Sequence, residues 1–462
     1  MKKVKVTVYI TSHNYGKYLQ DAIESVLRQT IDCWELLLFN DDSADNTQSI
    51  IDLYKGDERI RIFNTDGIGL SSVANLALKY SGGEYIIRLD ADDVFDENIL
   101  LVLSNCLDRD SDVALVFPDY FLIDKLGRII VQERRQSIYQ INHSLDMPAN
   151  GACTLIRKDV LEDLDGYRED LKAQDGFDLW SRIIRKYKCS NVNIPLFYYR
   201  RHGENLTDNL QHVLTARRRI KQDAGVNDLK KFGPISAVIP CRKNYDVYPD
   251  LWSKEVNGKT LLDIAIQTCM SSSLLDNIIV ASDNPAVKDT ISKYNDTRLK
   301  YFERRSESTI LSRSIAFTLE DIIKYFNLGW DGLILLDYIS APFNTTEILE
   351  EAIYTLVLND ATSSFAVEEI DLPLYRRSPY GLTHINAYSN LKSDFDVVYV
   401  EARTVLATRN INIKSGSLTG SKIVNFVLPK DEVFFIQTKR DYEIAKMLVR
   451  RGGASLENMT MF

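Results

Sequence analysis

Apolar residues recur along the first half of the chain in two alternating registers. Short unbroken runs at Val4 to Ile10, Trp34 to Phe39, Arg61 to Phe63 and Tyr85 to Leu89 have the composition of buried strands. Between them, Tyr18 to Gln29, Asp45 to Tyr54 and Ser71 to Lys79 carry apolar positions at helical spacing. In the first of these, Leu19, Ala22, Ile23, Val26 and Leu27 make one stripe. Strands alternating with helices predict a mainly parallel sheet covered on both faces. Sheets of that kind bind ligands outside the carboxyl ends of their strands. Three polar clusters fall at such ends: Thr11-Ser12-His13-Asn14, Asn40-Asp41-Asp42-Ser43 and Asp90-Ala91-Asp92-Asp93.

A second alternating pattern opens at Ile235 to Pro240. It continues through a helix at Leu261 to Cys269, a strand at Asn277 to Ala281, a strand at Leu333 to Leu336 and a helix at Glu347 to Leu358. The Gly, Asn, Asp, Lys and Pro of residues 225–234 read as a linker. The expected fold class is therefore α/β with two nucleotide-binding-type, Rossmann-like domains: residues 1–224, a linker at 225–234, and residues 235–462. The halves show no repeated sequence. With 462 residues the chain is long enough for two or three cores.

The net charge of −9 disfavours wholesale nucleic-acid binding. Basic clusters such as Arg134-Arg135 and Arg217-Arg218-Arg219 read first as solvated helix faces and second as contacts for anionic lipid heads or acidic glycans. None of the six cysteines has a CxxC or zinc spacing. Most of them, flanked by apolar or helical sequence, read as buried thiols, which fits a reducing compartment. With no apolar signal core and no stretch of membrane-span length, the expectation is a cytoplasmic protein, with any membrane association peripheral and at the inner face.

Asp90, Asp92 and Asp93 place three carboxylates within four residues at a strand end. Ionised, close and unpartnered, they repel one another. A divalent cation relieves that, and hard oxygen ligands suit Mg²⁺ or Mn²⁺, which also bind phosphate oxygens. The alternative is a solvated loop whose aspartates cap the next helix.

Taken in order, the motifs of the first ~220 residues, a whole-domain length, resemble family-2 glycosyltransferases of the GT-A fold. Val6 to Leu19 looks like the opening strand and turn of that family, and Ala22 to Thr30 like its first helix. Asn40 to Thr47 resembles its Asp-Asp-Gly-Ser-x-Asp element, and Gly69 to Asn75 its nucleotide-contacting segment. Asp90-Ala91-Asp92-Asp93 resembles its metal motif, Gln174 to Trp180 the element carrying its catalytic base, and Tyr198-Tyr199-Arg200-Arg201-His202 its closing strand and histidine. The resemblance implies a nucleotide-sugar donor, UDP by family default, contacted by Thr11, Asn14, Asp41, Asp42 and Asp90. It implies Mn²⁺ or Mg²⁺ held by Asp92, Asp93 and His202. It implies Asp175 as the base in an inverting transfer to a glycan or lipid-linked glycan of a cell-surface polysaccharide or glycoconjugate. Asp175 could instead cap its helix, and His202 could instead be a packed hydrogen-bonding residue. Four positions depart from the family pattern: Asn40 for Asp, Asp42 for Gly, Ala74 for Arg and Gln174 for Glu. The first leaves the base-contacting register open between Asp41 and its neighbours.

The second half is similar to cytidylyltransferases that activate acidic sugars. The likeness lies in Val238-Ile239-Pro240-Cys241-Arg242, Lys254 to Leu262, Ile278 to Asp283, and Val424 to Leu428 with Phe435 to Thr438 and Asp441. Asp246 and Leu251 stand where lysines are expected, and Phe435 and Gln437 replace a metal-binding Asp-x-Asp. This half therefore reads as a degenerate binding, docking or homodimerisation domain. Two alternatives stand beside a single glycosyltransferase activity. One is a bifunctional enzyme that also makes a CMP-activated acidic sugar. The other is a non-catalytic carbohydrate-binding or scaffold protein.

Overall fold

The computed structural model describes residues 3–135, 151–171, 174–203, 210–243, 249–305, 314–370, 372–379, 381–385, 398–429 and 432–451. The chain divides into two compact units, Met1–Arg217 and Arg218–Phe462.

The first unit runs β1 (Val6–Ser12), α1 (Gly16–Leu27), β2 (Trp34–Asp41), α2 (Thr47–Asp52), β3 (Ile60–Thr65), α3 (Leu70–Tyr80), β4 (Tyr85–Asp90) and β5 (Val94–Phe95). It continues with α4 (Ile99–Arg109), β6 (Val113–Ile123), β7 (Ile129–Glu133), β8 (Leu155–Arg157), α5 (Lys158–Asp163), α6 (Asp175–Lys186) and β9 (Lys188–Arg200). The sheet order is β3-β2-β1-β4-β8-β6-β9-β5, with β7 on β6. The first four strands are mutually parallel, and β8 runs antiparallel to both β4 and β6.

Alternate residues of the central strands go to opposite faces, as the pleat requires. Val6, Val8, Ile10, Leu36 and Leu38 pack with Leu19, Ala22, Ile23 and Val26 of α1 and with Leu100, Leu103 and Leu107 of α4. Tyr9, Leu37 and Phe39 pack on the other face with Val73, Ala74 and Ala77 of α3 and with Leu179, Trp180 and Ile183 of α6. Burial on both faces is why these strands read as continuous apolar runs. Register then sets the polar clusters side by side: Ser12 pairs with Asn40, and Thr11 with Asp90. Gly83 makes this possible, since a Cβ there would stand 2.6 Å from the Thr7 amide nitrogen.

In the second unit the sheet order is Leu299–Glu303, Asn277–Ser282, Ile235–Cys241, Leu333–Asp337, Val398–Arg409, Ser363–Ile370, Ile423–Val427. The first four are parallel, the fifth is antiparallel to both neighbours, and the last is parallel to the sixth. Numbered along the chain, this is the strand order and direction of β3-β2-β1-β4-β8-β6-β9. The two units thus share one topology, which no sequence repeat announced.

The helix α7 (Leu210–Leu229) crosses the division between the units. Residues 225–229, expected as linker, are helical. The missing Gly225 side chain reads as a breaker in sequence, but here it admits the Tyr354 ring, which a Cβ would approach to 2.5 Å. Beyond Arg217 the helix is held within the second unit by a buried ionic cluster. Lys221 Nζ lies 2.6 Å from Glu351 Oε1 and 3.2 Å from Thr355 Oγ1, while Arg218 reaches Glu351 and Glu432, each at 2.7 Å. Lys221 and Glu351 are only 3% exposed at their side chains. Removing one partner leaves an uncompensated buried charge, a loss of about 3–5 kcal/mol. Glu351→Ala is expected to lower the urea midpoint of the transition that reports the second unit, and Glu351→Gln to do so less. Equilibrium denaturation followed by tryptophan fluorescence checks both.

Candidate active site

The polar edge of the first unit is built from three strand ends and the loops they feed. After β1, Asn14 takes a left-handed φ of 64°, and after β2, Asp42 takes one of 57°. Asp tolerates this region better than most residues, so Asp42 adopts a backbone that a glycine would take without strain. The two loops then interlock. Asn14 Oδ1 accepts from the Ala44 amide at 2.8 Å, the Asn14 amide donates to Ser43 Oγ at 3.0 Å, and the His13 ring meets the Asp41 carbonyl at 2.6 Å. The Asp45 carboxylate accepts from the amides of Gly16 and Thr47, joining the starts of α1 and α2.

Of the residues expected to contact a nucleotide, Asp42 is exposed, whereas Asp41 is buried and engaged. Asp41 Oδ1 accepts from Thr65 Oγ1 at 2.7 Å and from the Ile68 amide at 2.9 Å, and Oδ2 accepts from the Gly69 amide at 2.9 Å. The positive φ of Gly67 and Gly69 is part of the turn that directs these amides inward. Asn75 is likewise structural. Its side chain donates to the Tyr167 carbonyl and accepts from the Tyr167 amide, fastening the turn that leads toward α6. Ala74, where the resembling family often has arginine, is 1% exposed and packs in the core. Thr11 Oγ1, beside Asp90 in the register, is a buried hydroxyl without a hydrogen-bond partner among the described residues.

The acidic run is divided among three tasks. Asp92 Oδ2 lies 2.9 Å from His202 Nε2, with both side chains largely buried. The His202 ring stacks on Tyr18 at 5.4 Å and meets Tyr15 edge-on. Asp93 turns inward, away from the place expected of a metal ligand. Its Oδ1 accepts the Arg200 amide at 2.8 Å, and burial, then the neighbouring Asp92 and Asp90, pushes its carboxyl well above the usual range. The reason is packing: Asp93 is fully buried where β9 crosses toward β5. Arg200 also donates to the Asp92 carbonyl at 2.7 Å and to Asp21 Oδ2 at 3.1 Å, pinning the motif to α1.

Asp90 meets Arg88. The Arg88 Nε stands 2.8 Å from Asp90 Oδ1, an ion-pair distance although its N–H is not aligned for a hydrogen bond. Burial pushes the Asp90 carboxyl up to about 6 against the pull of Arg88. Arg88 Nη1 donates to Asp175 Oδ2 at 2.6 Å. Asp175 is the first residue of α6. The N-cap is Gln174 at φ 62°, with no side-chain cap, so the Asp175 carboxylate serves Arg88 rather than the helix end. Asp178 bonds Arg182 at 2.8 Å.

Sequence reading missed Arg88, Arg200 and the tyrosine bed of His202. Arg88 did carry a signal: a charged residue inside an apolar strand is buried only when paired. Among the described residues, no group of three His, Cys, Asp or Glu is arranged to hold a metal. Asp92 and His202 offer a carboxylate oxygen and an imidazole nitrogen at contact distance, a donor pair suited to Mn²⁺.

At the corresponding edge of the second unit, Asp337 ends the fourth strand as Asp90 ends β4. It is fully buried, raised to about 6 by burial, and bonded by Asn344 Nδ2 at 2.7 Å, so it belongs to the core. Asp283 Oδ1 accepts the Lys243 amide at 2.7 Å. Asp246 lies outside the described residues. Of the six cysteines, all free, Cys153, Cys189, Cys241 and Cys269 are buried, and Cys33 and Cys106 are partly exposed. Among the described residues, no helix is long and apolar enough to cross a membrane.

Residues 7–165 match the family model for glycosyl transferase family 2. The N-terminal part of the chain thus carries a domain of that family, and its curated relatives are glycosyltransferases. The chain is 25% identical over 354 residues to an uncharacterised glycosyltransferase of Rickettsia felis, covering 67% of this chain and 58% of that one. It is 27% identical over 192 residues to the Escherichia coli UDP-Glc:alpha-D-GlcNAc-diphosphoundecaprenol beta-1,3-glucosyltransferase WfgD, covering 41% of this chain and 73% of that one. Among solved structures, Staphylococcus aureus TarS 1–349 in complex with UDP-GlcNAc overlaps 48% of this chain at 18% identity with a TM-score of 0.41, too loose to bear on function.

Truncating Asp41 strips acceptors from two backbone amides and a hydroxyl, all part-buried and able to turn in part to water, a loss of about 1–3 kcal/mol in all. Asp42→Asn, exposed and tolerant of positive φ, is expected within about 0.5 kcal/mol of the parent. Urea denaturation of Asp41→Ala and Asp42→Asn checks the contrast.

Proposed function

We propose that this chain is an inverting, metal-dependent glycosyltransferase that moves a sugar from a nucleotide donor to a hydroxyl of a glycan or lipid-linked glycan. The observation that carries this reading is the meeting, at one sheet edge, of the Asp92–His202 pair with Asp175, linked through Asp90 and Arg88. The unpartnered Thr11 hydroxyl beside Asp90 and the exposed Asp42 offer contacts for the donor nucleotide. UDP is the donor nucleotide best supported, because the WfgD relative is described as a UDP-Glc enzyme. The diphosphoundecaprenol in that relative's name supports a lipid-linked glycan as acceptor.

Asp92 and His202 would hold Mn²⁺ or Mg²⁺, which when bound neutralises charge on the diphosphate leaving group. Asp175 accepts the proton of the acceptor hydroxyl. The hydroxyl oxygen bonds to the anomeric carbon as the bond from that carbon to the diphosphate oxygen breaks. The nucleoside diphosphate leaves with the electron pair, and attack from the opposite face inverts the centre. His202 is oriented for its task by Tyr15 and Tyr18.

For the second unit we propose a cytidylyltransferase-like, non-catalytic binding or docking domain, a candidate site of self-association. The shared strand order supports the fold reading. The burial of Asp337, together with Phe435 and Gln437 in place of paired carboxylates, supports loss of metal chemistry. No pyrophosphate release from CTP and an acidic sugar is expected.

A donor panel with Mn²⁺, scored for released nucleotide, is expected to show turnover that EDTA abolishes. Asp175→Asn is expected to lower kcat by about 10²–10⁴-fold, the usual worth of a positioned base, and Asp92→Asn to remove the metal dependence together with most of the activity. Full activity in both variants overturns the reading.

A further inference from the structure

Arg88 stands inside an apolar strand, with its side chain 7% exposed and two carboxylates on its guanidinium. We propose that Arg88 is a positioning residue for sugar transfer, aiming the base Asp175 and yoking it to the donor-side Asp90. The inference rests on the glycosyl-transfer reading of this site.

The guanidinium bed is built for its occupant. Any Cβ at Gly151 would collide with Arg88 Nη2, so glycine there leaves the room that the group fills. The groups facing it are Asp175 and Asp90, with the Tyr9 and Tyr167 phenols behind, themselves 3.3 Å apart. Burial opposes charge on Arg88, but Asp175 and then Asp90 outweigh it and hold the guanidinium protonated. Without that cation, the neighbouring carboxylates of Asp90 and Asp175 would repel one another.

The contact on Asp175 is one-sided. Arg88 takes Oδ2, and among the described residues Oδ1 receives no hydrogen bond. One oxygen is thereby fixed and the other left to accept the proton of the acceptor hydroxyl. The same guanidinium holds Asp90, at the end of β4 and two residues before Asp92, so the base and the metal motif share one rigid reference. Arginine suits this because its planar fork serves two carboxylates at fixed spacing; a lysine ammonium is a point charge on a flexible stem. A 1 Å misplacement of a catalytic group can lower the rate by ~10²-fold.

The test compares wild type, Arg88→Lys, Arg88→Gln and Asp175→Asn by steady-state transfer kinetics from the donor on which wild type turns over, with circular dichroism as the fold control. Arg88→Gln is expected to lower kcat by about 10²-fold with a smaller change in donor KM. Arg88→Lys is expected to recover part of kcat, because it restores a cation beside Asp175 without the planar fork. Wild-type kcat in Arg88→Gln, or a loss confined to donor KM, overturns the inference while leaving the parent reading intact. If Arg88→Gln does not fold, a folded Arg88→Lys with kcat equal to wild type overturns it instead. Full activity in Asp175→Asn removes the base and with it this role for Arg88.

Discussion

A guanidinium buried in a sheet must be met by carboxylates, and much of the polar edge of the first unit follows from that requirement. Arg88 points from the middle of β4 into a space where solvent cannot screen it, so Asp90 and Asp175 come to it. Asp90 follows on the same strand two residues later. Asp175 arrives from α6, far along the chain, and the turn before it is fastened to α3 through Asn75 and Tyr167. One ionic triad therefore ties the central strand, the acidic motif and the helix bearing the candidate base. Its burial makes it costly to break, and its geometry makes it specific.

The acidic run shows how neighbouring identical residues are separated by environment. Asp92 emerges toward His202, Asp90 leans on Arg88, and Asp93 is driven into the core beneath the Arg200 amide. Burial lifts the Asp93 carboxyl well above the usual range. Three carboxylates within four residues thus resolve into one paired with a histidine, one paired with an arginine and one buried beneath a backbone amide, which lessens the mutual repulsion that their spacing alone implies.

The second unit repeats the strand order of the first with a different outcome at the strand ends. Its fourth strand also closes on an aspartate, yet Asp337 is sealed by Asn344 and Cys269 instead of opening onto a cleft. Topology supplies an edge where ligands can bind; whether a carboxylate at that edge is available depends on the side chains that pack around it. The ionic cluster of Arg218, Lys221, Glu351 and Glu432 uses the same physics within the second unit, for cohesion.

The strands, helices and polar strand ends of the first unit were legible in the chain, because burial on both faces writes itself as apolar runs and helical stripes. The acidic motif, Asp175 and His202 were legible as types in order. Tertiary structure decided what each does. Asp41, expected at the nucleobase, spends its carboxylate on the amides of Ile68 and Gly69, and Asn75 spends its amide on Tyr167. Gly225, a breaker by composition, lies inside a helix because Tyr354 needs its space. Arg88 and Arg200 entered the site only when β4, α6 and β9 were brought together. Periodicity reports which face a residue takes, a local property. Partner choice depends on which distant groups share that face, and no spacing along the chain encodes it.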